Sequence, residues 1–209
     1  MLCAKDWSPS IQSCMDAMSQ VAMMKDQLSA GDWLDQGLKA LARKGFTALK
    51  ADPLAKAMGV SRGSFYWHFA DVGAFHAALL KHWHEVAAEQ IIAEVEAAAP
   101  GNRALELLLH RVFGERLALE GAVRSWASVD PAARAAVQAI DRRRLDYIEQ
   151  LLRQAGLSAD LACARAQILY WAFLGFALSD RPSPKERQHL ILDELLLMAL
   201  RQGTGQGTR

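Results

Sequence analysis

Apolar residues recur along this chain at the three- and four-residue spacing of amphipathic helices, and no segment alternates like a strand with hairpin turns. The pattern predicts an all-α protein. A first helix is expected over residues 33–44, a second begins at Asp52-Pro53, and Asp71 caps a long fourth helix. Further helices are expected over residues 103–119, 132–155, 159–179 and 184–201, with breaks at Gly121, Asp130-Pro131, 156–158 and 181–184.

These helices divide the chain into a compact head, residues 31–80, and a longer body, residues 81–201. The fourth helix joins them, and its predicted buried stripe is Phe75, Leu79, Trp83, Val86 and Ile91. Residues 1–30 form an N-terminal extension that is either disordered or loosely helical. Because Met23 and Met24 lie just before the head, a misassigned start is an open alternative. The Gly- and Thr-rich tail, residues 202–209, is expected to be disordered.

The head contains two short helical patterns separated by Gly59-Val60-Ser61. Gly59 supplies a turn, and Ser61 is a suitable N-cap for the second of the two helices. On that helix Phe65 and Phe69 are four residues apart and point inward together. The opposite face then carries Gly63, Ser64 and Trp67, with Tyr66 and His68 on its flanks.

Small and polar-tipped residues of this kind are unsuited to a core but fit a helix that lies in the DNA major groove. Gly63 leaves room for close approach, Arg62 can reach a guanine, and Ser64 and Trp67 can contact base edges or a thymine methyl group. Tyr66 and His68 are expected to contact phosphates. Two alternatives stay open: the motif is an ordinary helical hairpin in a core, or Arg62 contacts phosphate instead of a base.

The order GVS-x-GS-x-YWHF over residues 59–69 resembles the helix-turn-helix signature of the TetR family of transcriptional regulators. The resemblance extends over about residues 33–80. It implies a three-helix DNA-binding head followed by a helical-bundle body that binds a ligand and dimerises. The implied function is that of a non-enzymatic, ligand-responsive repressor. It would bind a palindromic operator in double-stranded DNA as a homodimer, and a small-molecule effector of unknown identity would release it.

The chain departs from that family pattern at two positions. Family members commonly carry a lysine shortly after the last phenylalanine of the motif, but here Ala70 and Asp71 follow Phe69. Lys50 stands where the family usually has a small hydroxyl residue that touches the DNA backbone, so Lys50 is a further candidate contact. The alternative function is a helical dimer whose head engages a protein partner, with DNA binding weakened or lost.

By the same resemblance, the body encloses an effector pocket. Its candidate residues are aromatic side chains and one histidine: His110, Phe113, Trp126, Tyr147, Tyr170, Trp171 and Phe173. The alternative is that these residues simply fill a core.

The last two helices, residues 159–179 and 184–201, are apolar around most of their circumference, so they must be covered on more than one side. They form either a dimer interface, as in the family, or the central pair of a monomeric bundle.

The net charge of the chain is only +1, yet residues 31–84 carry seven basic and four acidic side chains, a balance compatible with phosphate contact. No catalytic motif is present. His76, His82 and His84 lack metal-ligand spacing, so neither a metal nor a cofactor is expected. Charges such as Asp141 and Arg144 are interpreted as ordinary surface pairs, and residues 142–144 as a solvated face.

Three cysteines, Cys3, Cys14 and Cys163, fit free thiols in a reducing cytoplasm. The apolar runs are too short for a membrane span, and the first residues do not form a secretory signal. A cytoplasmic protein is therefore expected.

Overall fold

The structure is a computed structural model that describes residues 28–98, 103–113, 117–179 and 184–201. Over these ranges it contains ten α-helices and no strand, which confirms the predicted all-α class. The helices are α1 (Ala30–Lys44), α2 (Ala51–Met58), α3 (Arg62–His68), α4 (Val72–His84), α5 (Gln90–Ala98), α6 (Arg103–Phe113), α7 (Ala118–Ala127), α8 (Pro131–Gln154), α9 (Ala159–Ala177) and α10 (Lys185–Leu200). Most of the predicted N-terminal extension and all of the predicted tail lie outside the described residues.

Local caps define the helices of the head. Ser29 and Asp32 form a reciprocal capping box at the start of α1, and the carboxylate of Asp71 accepts a hydrogen bond from the Ala74 amide at 2.7 Å, as predicted for α4. The prediction that α2 begins at Asp52-Pro53, a pair suited to the N-cap and the first turn, is wrong by about one residue. Lys50 is the N-cap, and Asp52 lies in the first turn, where its negative charge still favours the helix dipole.

An aromatic cluster holds the three helices of the head together. Trp33, Phe65 and Phe75 are fully buried, and the Phe65 ring meets the other two edge-to-face at 5.3 and 5.2 Å. Gly37 allows α1 to approach α4 closely, because a Cβ at this position would lie 2.7 Å from Cζ of Phe75. The inward direction predicted for Phe65 and Phe69 is therefore observed.

The connection between head and body is a continuous helix that contains a π-helical turn. α4 passes into the π-turn Glu85–Glu89 and then into α5. The wider turn inserts an extra residue, so the buried face is reached by Ala88, Ile92 and Val95. The predicted stripe is correct up to Trp83 but wrong at Val86 and Ile91, which are only half-buried.

Helix α7 and the first half of α8 belong to the same core as the head. Trp126 of α7 stacks on Phe46 with ring centroids 4.8 Å apart, and Val123, Ala133 and Ile140 are fully buried in that core. The predicted helix break at Gly121 is wrong, because α7 runs through this glycine. A continuous hydrophobic core therefore links α7 and α8 to the head.

A second core fills the body between α5, α6, the second half of α8, α9 and α10. No helix in the described part of the chain has the length and hydropathy needed to cross a membrane.

Candidate DNA-reading surface and ligand cavity

The outward face of α3 is available for contact with another molecule. Phe65 and Phe69 anchor the helix in the head, while Arg62, Gly63, Tyr66 and His68 are exposed and Ser64 is half-buried. Trp67 is 88% exposed, which is unusual for so large an apolar side chain. We call Lys50, Arg62, Gly63, Ser64, Tyr66, Trp67 and His68 the reading surface; Lys50, at the start of α2, is also exposed.

Arg62 makes two solvent-exposed contacts, a hydrogen bond to Tyr66 and an ion pair with Asp52. Its Nη2 donates a hydrogen bond to the Tyr66 hydroxyl at 3.1 Å, and its Nε lies 3.5 Å from Oδ1 of Asp52. More than half of the side-chain surface of Arg62 and of Asp52 is exposed, so this ion pair adds little stability. The guanidinium can therefore leave Asp52 for a base or a phosphate at small cost.

Gly63 is not required by the fold. A Cβ at this position would meet only the Oγ of Ser61, at an ordinary 3.6 Å. Since glycine weakens a helix relative to alanine, its presence on an exposed face needs another reason. Close approach to a ligand such as DNA is one.

The body contains a cavity of about 320 Å³ bounded by the end of α4, the π-turn and helices α5 to α9. Phe113, Tyr147, Tyr170 and Phe173 of the predicted effector residues line it. The other three lie elsewhere: Trp126 is in the core shared with the head, while His110 and Trp171 are exposed on helix surfaces. The remaining wall is largely aliphatic, with side chains such as Ile91, Leu109 and Leu169.

Glu120, Arg144 and Tyr170 form one wall of the cavity and belong to a network of charged and polar side chains that continues behind it. Glu120 is only 3% exposed, and its carboxylate accepts hydrogen bonds from Arg124 at 2.8 Å and from Arg144 at 3.1 Å. Arg124 also forms a two-pronged pair with Asp141, at 2.6 and 3.2 Å. The Tyr170 hydroxyl donates to Asp141 at 2.5 Å and thereby closes the network.

This network corrects the interpretation of Asp141 and Arg144 as ordinary surface charges. Arg144 is largely buried, pairs with Glu120 instead of Asp141, and holds its guanidinium 5.2 Å from the centroid of the Phe173 ring. Burial opposes the charge of Arg124, but the adjoining carboxylates outweigh that effect and raise its pKa above the ordinary value. Burial and the bond to Asp141 both raise the pKa of Tyr170.

The π-turn is fastened to α8 by two consecutive arginines. Nε and Nη2 of Arg143 donate to the two carboxylate oxygens of Glu89 at 2.9 and 3.0 Å. The Arg144 guanidinium donates to the backbone carbonyl of Ala87, in the middle of the π-turn, at 3.1 Å. The prediction of a solvated face over residues 142–144 is therefore wrong at Arg143 and Arg144. These two arginines connect α8 to the helix that leads into the head.

Sequence reasoning missed Glu120, Arg124 and Asp141 as a set. A trace of the network exists in the sequence, since Glu120 and Arg124 are four residues apart in a mostly apolar segment. Their joining to Asp141 depends on how α7 packs against α8. In the described ranges, no three potential metal-ligating side chains come together.

The head has the architecture of a helix-turn-helix DNA-binding domain. α2 and α3 are joined by a short turn at Gly59, whose left-handed backbone (φ 69°) suits glycine, and α3 is packed through one face while the other is exposed. This arrangement is typical of DNA-binding transcriptional regulators.

Residues 34–71 match the family model described as bacterial regulatory proteins, tetR family. This match places a TetR-family DNA-binding segment over the helix-turn-helix of the head, from α1 to the start of α4. No curated protein sequence is significantly similar to it.

Solved structures share the fold over most of the chain. A transcriptional regulator from Rhodococcus sp. Rha1 is 21% identical with a TM-score of 0.69, and the match covers 83% of this chain and 96% of that one. NemR from E. coli in its reduced form is 20% identical with a TM-score of 0.63, over 81% and 94% of the two chains. AibR, solved with isovaleryl coenzyme A and operator DNA, is 14% identical with a TM-score of 0.61, over 81% and 96%.

Proposed function

We propose that this protein is a homodimeric repressor that binds a palindromic operator and is released when a small molecule enters the body cavity. The observation that carries the proposal is the reading surface on α3, exposed on a helix whose opposite face is locked into the head. The solved complex of AibR, which has the same fold, contains both operator DNA and a small molecule. As a transcriptional regulator, the protein would act in the cytoplasm.

The proposed dimer uses the outer faces of α9 and α10. Ile168 and Trp171 on α9 and Leu178 at its C-cap are 54%, 63% and 50% exposed. Leu190 and Leu197 on α10 are 66% and 64% exposed. An apolar area of this extent marks an interface. A second copy of the chain is the favoured occupant, because a two-fold dimer presents two copies of α3 to a palindrome.

Release follows from a change in population between two arrangements of the dimer. DNA binding needs the two copies of α3 to be about 34–36 Å apart, one helical turn of DNA. A molecule in the cavity contacts Val86, Ala87 and Ala88 of the π-turn, which continues into α4 of the head. A ligand that fits better when this helix is displaced would shift the population away from the DNA-competent arrangement.

The test is a study of Arg62→Ala on DNA. Sequencing the fragments that the purified protein retains from a fragmented genome identifies the operator, and a set of single-base variants of it is then measured at two salt concentrations. If Arg62 reads a base, the variant loses about 1–3 kcal/mol per half-site and relaxes specificity at one position. Uniform loss with a shallower salt slope would instead assign Arg62 to phosphate.

The second candidate function is a dimer whose head binds a protein partner. The observation in its favour is the sequence after Phe69, where Ala70 and Asp71 replace the expected cationic contact and Asp71 is committed to capping α4. Failure of the wild-type protein to show salt-dependent binding to any genomic fragment would favour this candidate and contradict the repressor.

A further inference from the structure

One residue that lines the cavity carries a buried hydroxyl without a hydrogen-bond partner in the described part of the chain. Tyr147 lines the cavity and is 2% exposed, and no donor or acceptor within the described residues reaches its hydroxyl. Buried hydroxyl groups are nearly always satisfied in folded proteins, so an orphan at the wall of a cavity indicates a missing partner. A molecule inside the cavity is a natural source of that partner.

The charged wall of the cavity, in contrast, is already satisfied. The guanidinium of Arg144 is engaged by both oxygens of Glu120 and by the carbonyl of Ala87. Arg124 is engaged by Glu120, Asp141 and the Tyr170 hydroxyl. Two arginines thus balance two carboxylates. Arg111, which also lines the cavity, donates to the Glu94 carboxylate at 3.2 Å, so a charged ligand would have to break one of these pairs to gain a partner.

We propose that the cavity binds a neutral, largely apolar molecule whose oxygen accepts a hydrogen bond from Tyr147. A ketone, ester or ether oxygen would satisfy this requirement. At about 30 Å³ per water-sized group, the 320 Å³ cavity has room for on the order of ten non-hydrogen atoms. The inference rests on the proposed function, because it names the chemistry of the effector at the same cavity.

The protonation state of Tyr147 agrees with a donor role. Burial raises the pKa of its phenol, and the nearby Glu96 carboxylate acts in the same direction. The hydroxyl therefore keeps its proton at neutral pH. A ligand acceptor is needed to complete the pair, whereas a ligand that only donates would still leave that proton unpaired.

A matched series of benzene derivatives tests the ligand class. Acetophenone, cumene, benzoate and benzamidinium have the same number of non-hydrogen atoms but differ in charge and in hydrogen-bond acceptor. Calorimetric titration of the full-length protein measures the preference for acetophenone, defined as its affinity divided by that of cumene. The hydrogen bond to Tyr147 should raise this ratio about 3–10-fold, the worth of one neutral hydrogen bond. Benzoate and benzamidinium should bind more weakly than acetophenone.

The variant Tyr147→Phe tests the donor. It should lower the preference for acetophenone about 3–10-fold while leaving cumene binding unchanged. Because it removes an unsatisfied buried hydroxyl and keeps the ring, the unliganded variant should melt at the same or a higher temperature. His110→Ala is the matched control, since His110 is exposed on α6 and does not line the cavity. Its ligand preference should equal that of the wild type.

Three results would overturn the inference: tightest binding of a charged probe, an undiminished acetophenone preference in Tyr147→Phe, or no binding of any probe. Measuring operator affinity with and without acetophenone separates this inference from the proposed function. Binding that depends on Tyr147 without any effect on operator affinity would support the ligand class and count against ligand-controlled release.

Discussion

Gly63 lies on the outward face of α3, where the fold places no restriction on a larger residue. We therefore predict that Gly63→Ala raises the free energy of unfolding by about 0.5–1 kcal/mol, because alanine is the better helix former. The same change should weaken operator binding, since a methyl group would stand between the helix and the floor of the groove. Urea denaturation and a DNA-binding titration on the same preparation measure the two effects.

Gly121→Ala is the control for this prediction. Gly121 lies within α7, away from the reading surface, and its new Cβ would make an ordinary 3.8 Å contact with Leu178. It should stabilise the protein without changing DNA affinity. Unchanged operator affinity in Gly63→Ala as well would show that α3 does not approach DNA through this residue.

Single residues differ in how far the sequence alone could place them. The exposed positions of α3 follow from its helical period once Phe65 and Phe69 are assigned inward, so the exposure of this face could be predicted. Trp126 and Tyr170 are both aromatic residues of the body, yet one packs against Phe46 and the other lines the cavity. Which of the two surroundings a residue enters depends on how the helices pack against one another, and the type of residue does not determine that packing.

At the level of elements, the π-turn Glu85–Glu89 is held against α8 by hydrogen bonds from Arg143 and Arg144. Their contribution to stability can be measured. The hydrogen bond from Arg143 holds the pKa of Glu89 below its ordinary value of 4.5. A carboxylate with a lowered folded-state pKa stabilises the fold above its unfolded-state pKa. That stability is lost as the pH falls through the lowered value.

We therefore predict that Glu89→Gln lowers the free energy of unfolding at neutral pH by roughly 0.5–1 kcal/mol, the range for a partly exposed pair. The difference from wild type should shrink as the pH falls below about 4.5. Denaturant titrations across the acid range measure it. In an Arg143→Met background, Glu89→Gln should have little further effect; an equal loss there would show that the pair does not stabilise the π-turn.

The π-turn also explains where element prediction failed. A regular 3.6-residue period extended from Phe75 through Trp83 leads to Val86 and Ile91, whereas the extra residue transfers burial to Ala88 and Ile92. Both sets of positions, Val86 with Ile91 and Ala88 with Ile92, are apolar, so the sequence alone does not show which set is buried. The helix of residues 118–127 was missed for a related reason, since Gly121 is a weak helix former that packing tolerates.

At the scale of the whole molecule, two cores meet along α8 and the π-turn. Ile140 of α8 belongs to the core of the head, while Tyr147 and Leu151, further along the same helix, belong to the core of the body. Arg143 and Arg144 lie between them and hold the π-turn. A molecule bound in the cavity would therefore contact the π-turn and α8, the elements that connect to the head and its helix α3. Ligand-controlled release requires such a connection.

The dimer is the remaining feature at this scale, and Leu197→Glu tests it. Leu197 is 64% exposed on α10, so a single chain can accept a glutamate there without loss of its core. In a two-fold dimer the same substitution would place a charge in an apolar interface and, if near the axis, against its symmetry mate. We predict that sedimentation velocity shows a dimer for the wild type and a monomer for Leu197→Glu, which should also fail to bind the palindrome. Val129→Glu, a substitution at a 73% exposed apolar residue after α7, is the matched control and should stay dimeric. A wild-type monomer, or a Leu197→Glu variant that stays dimeric, would contradict an interface at this position.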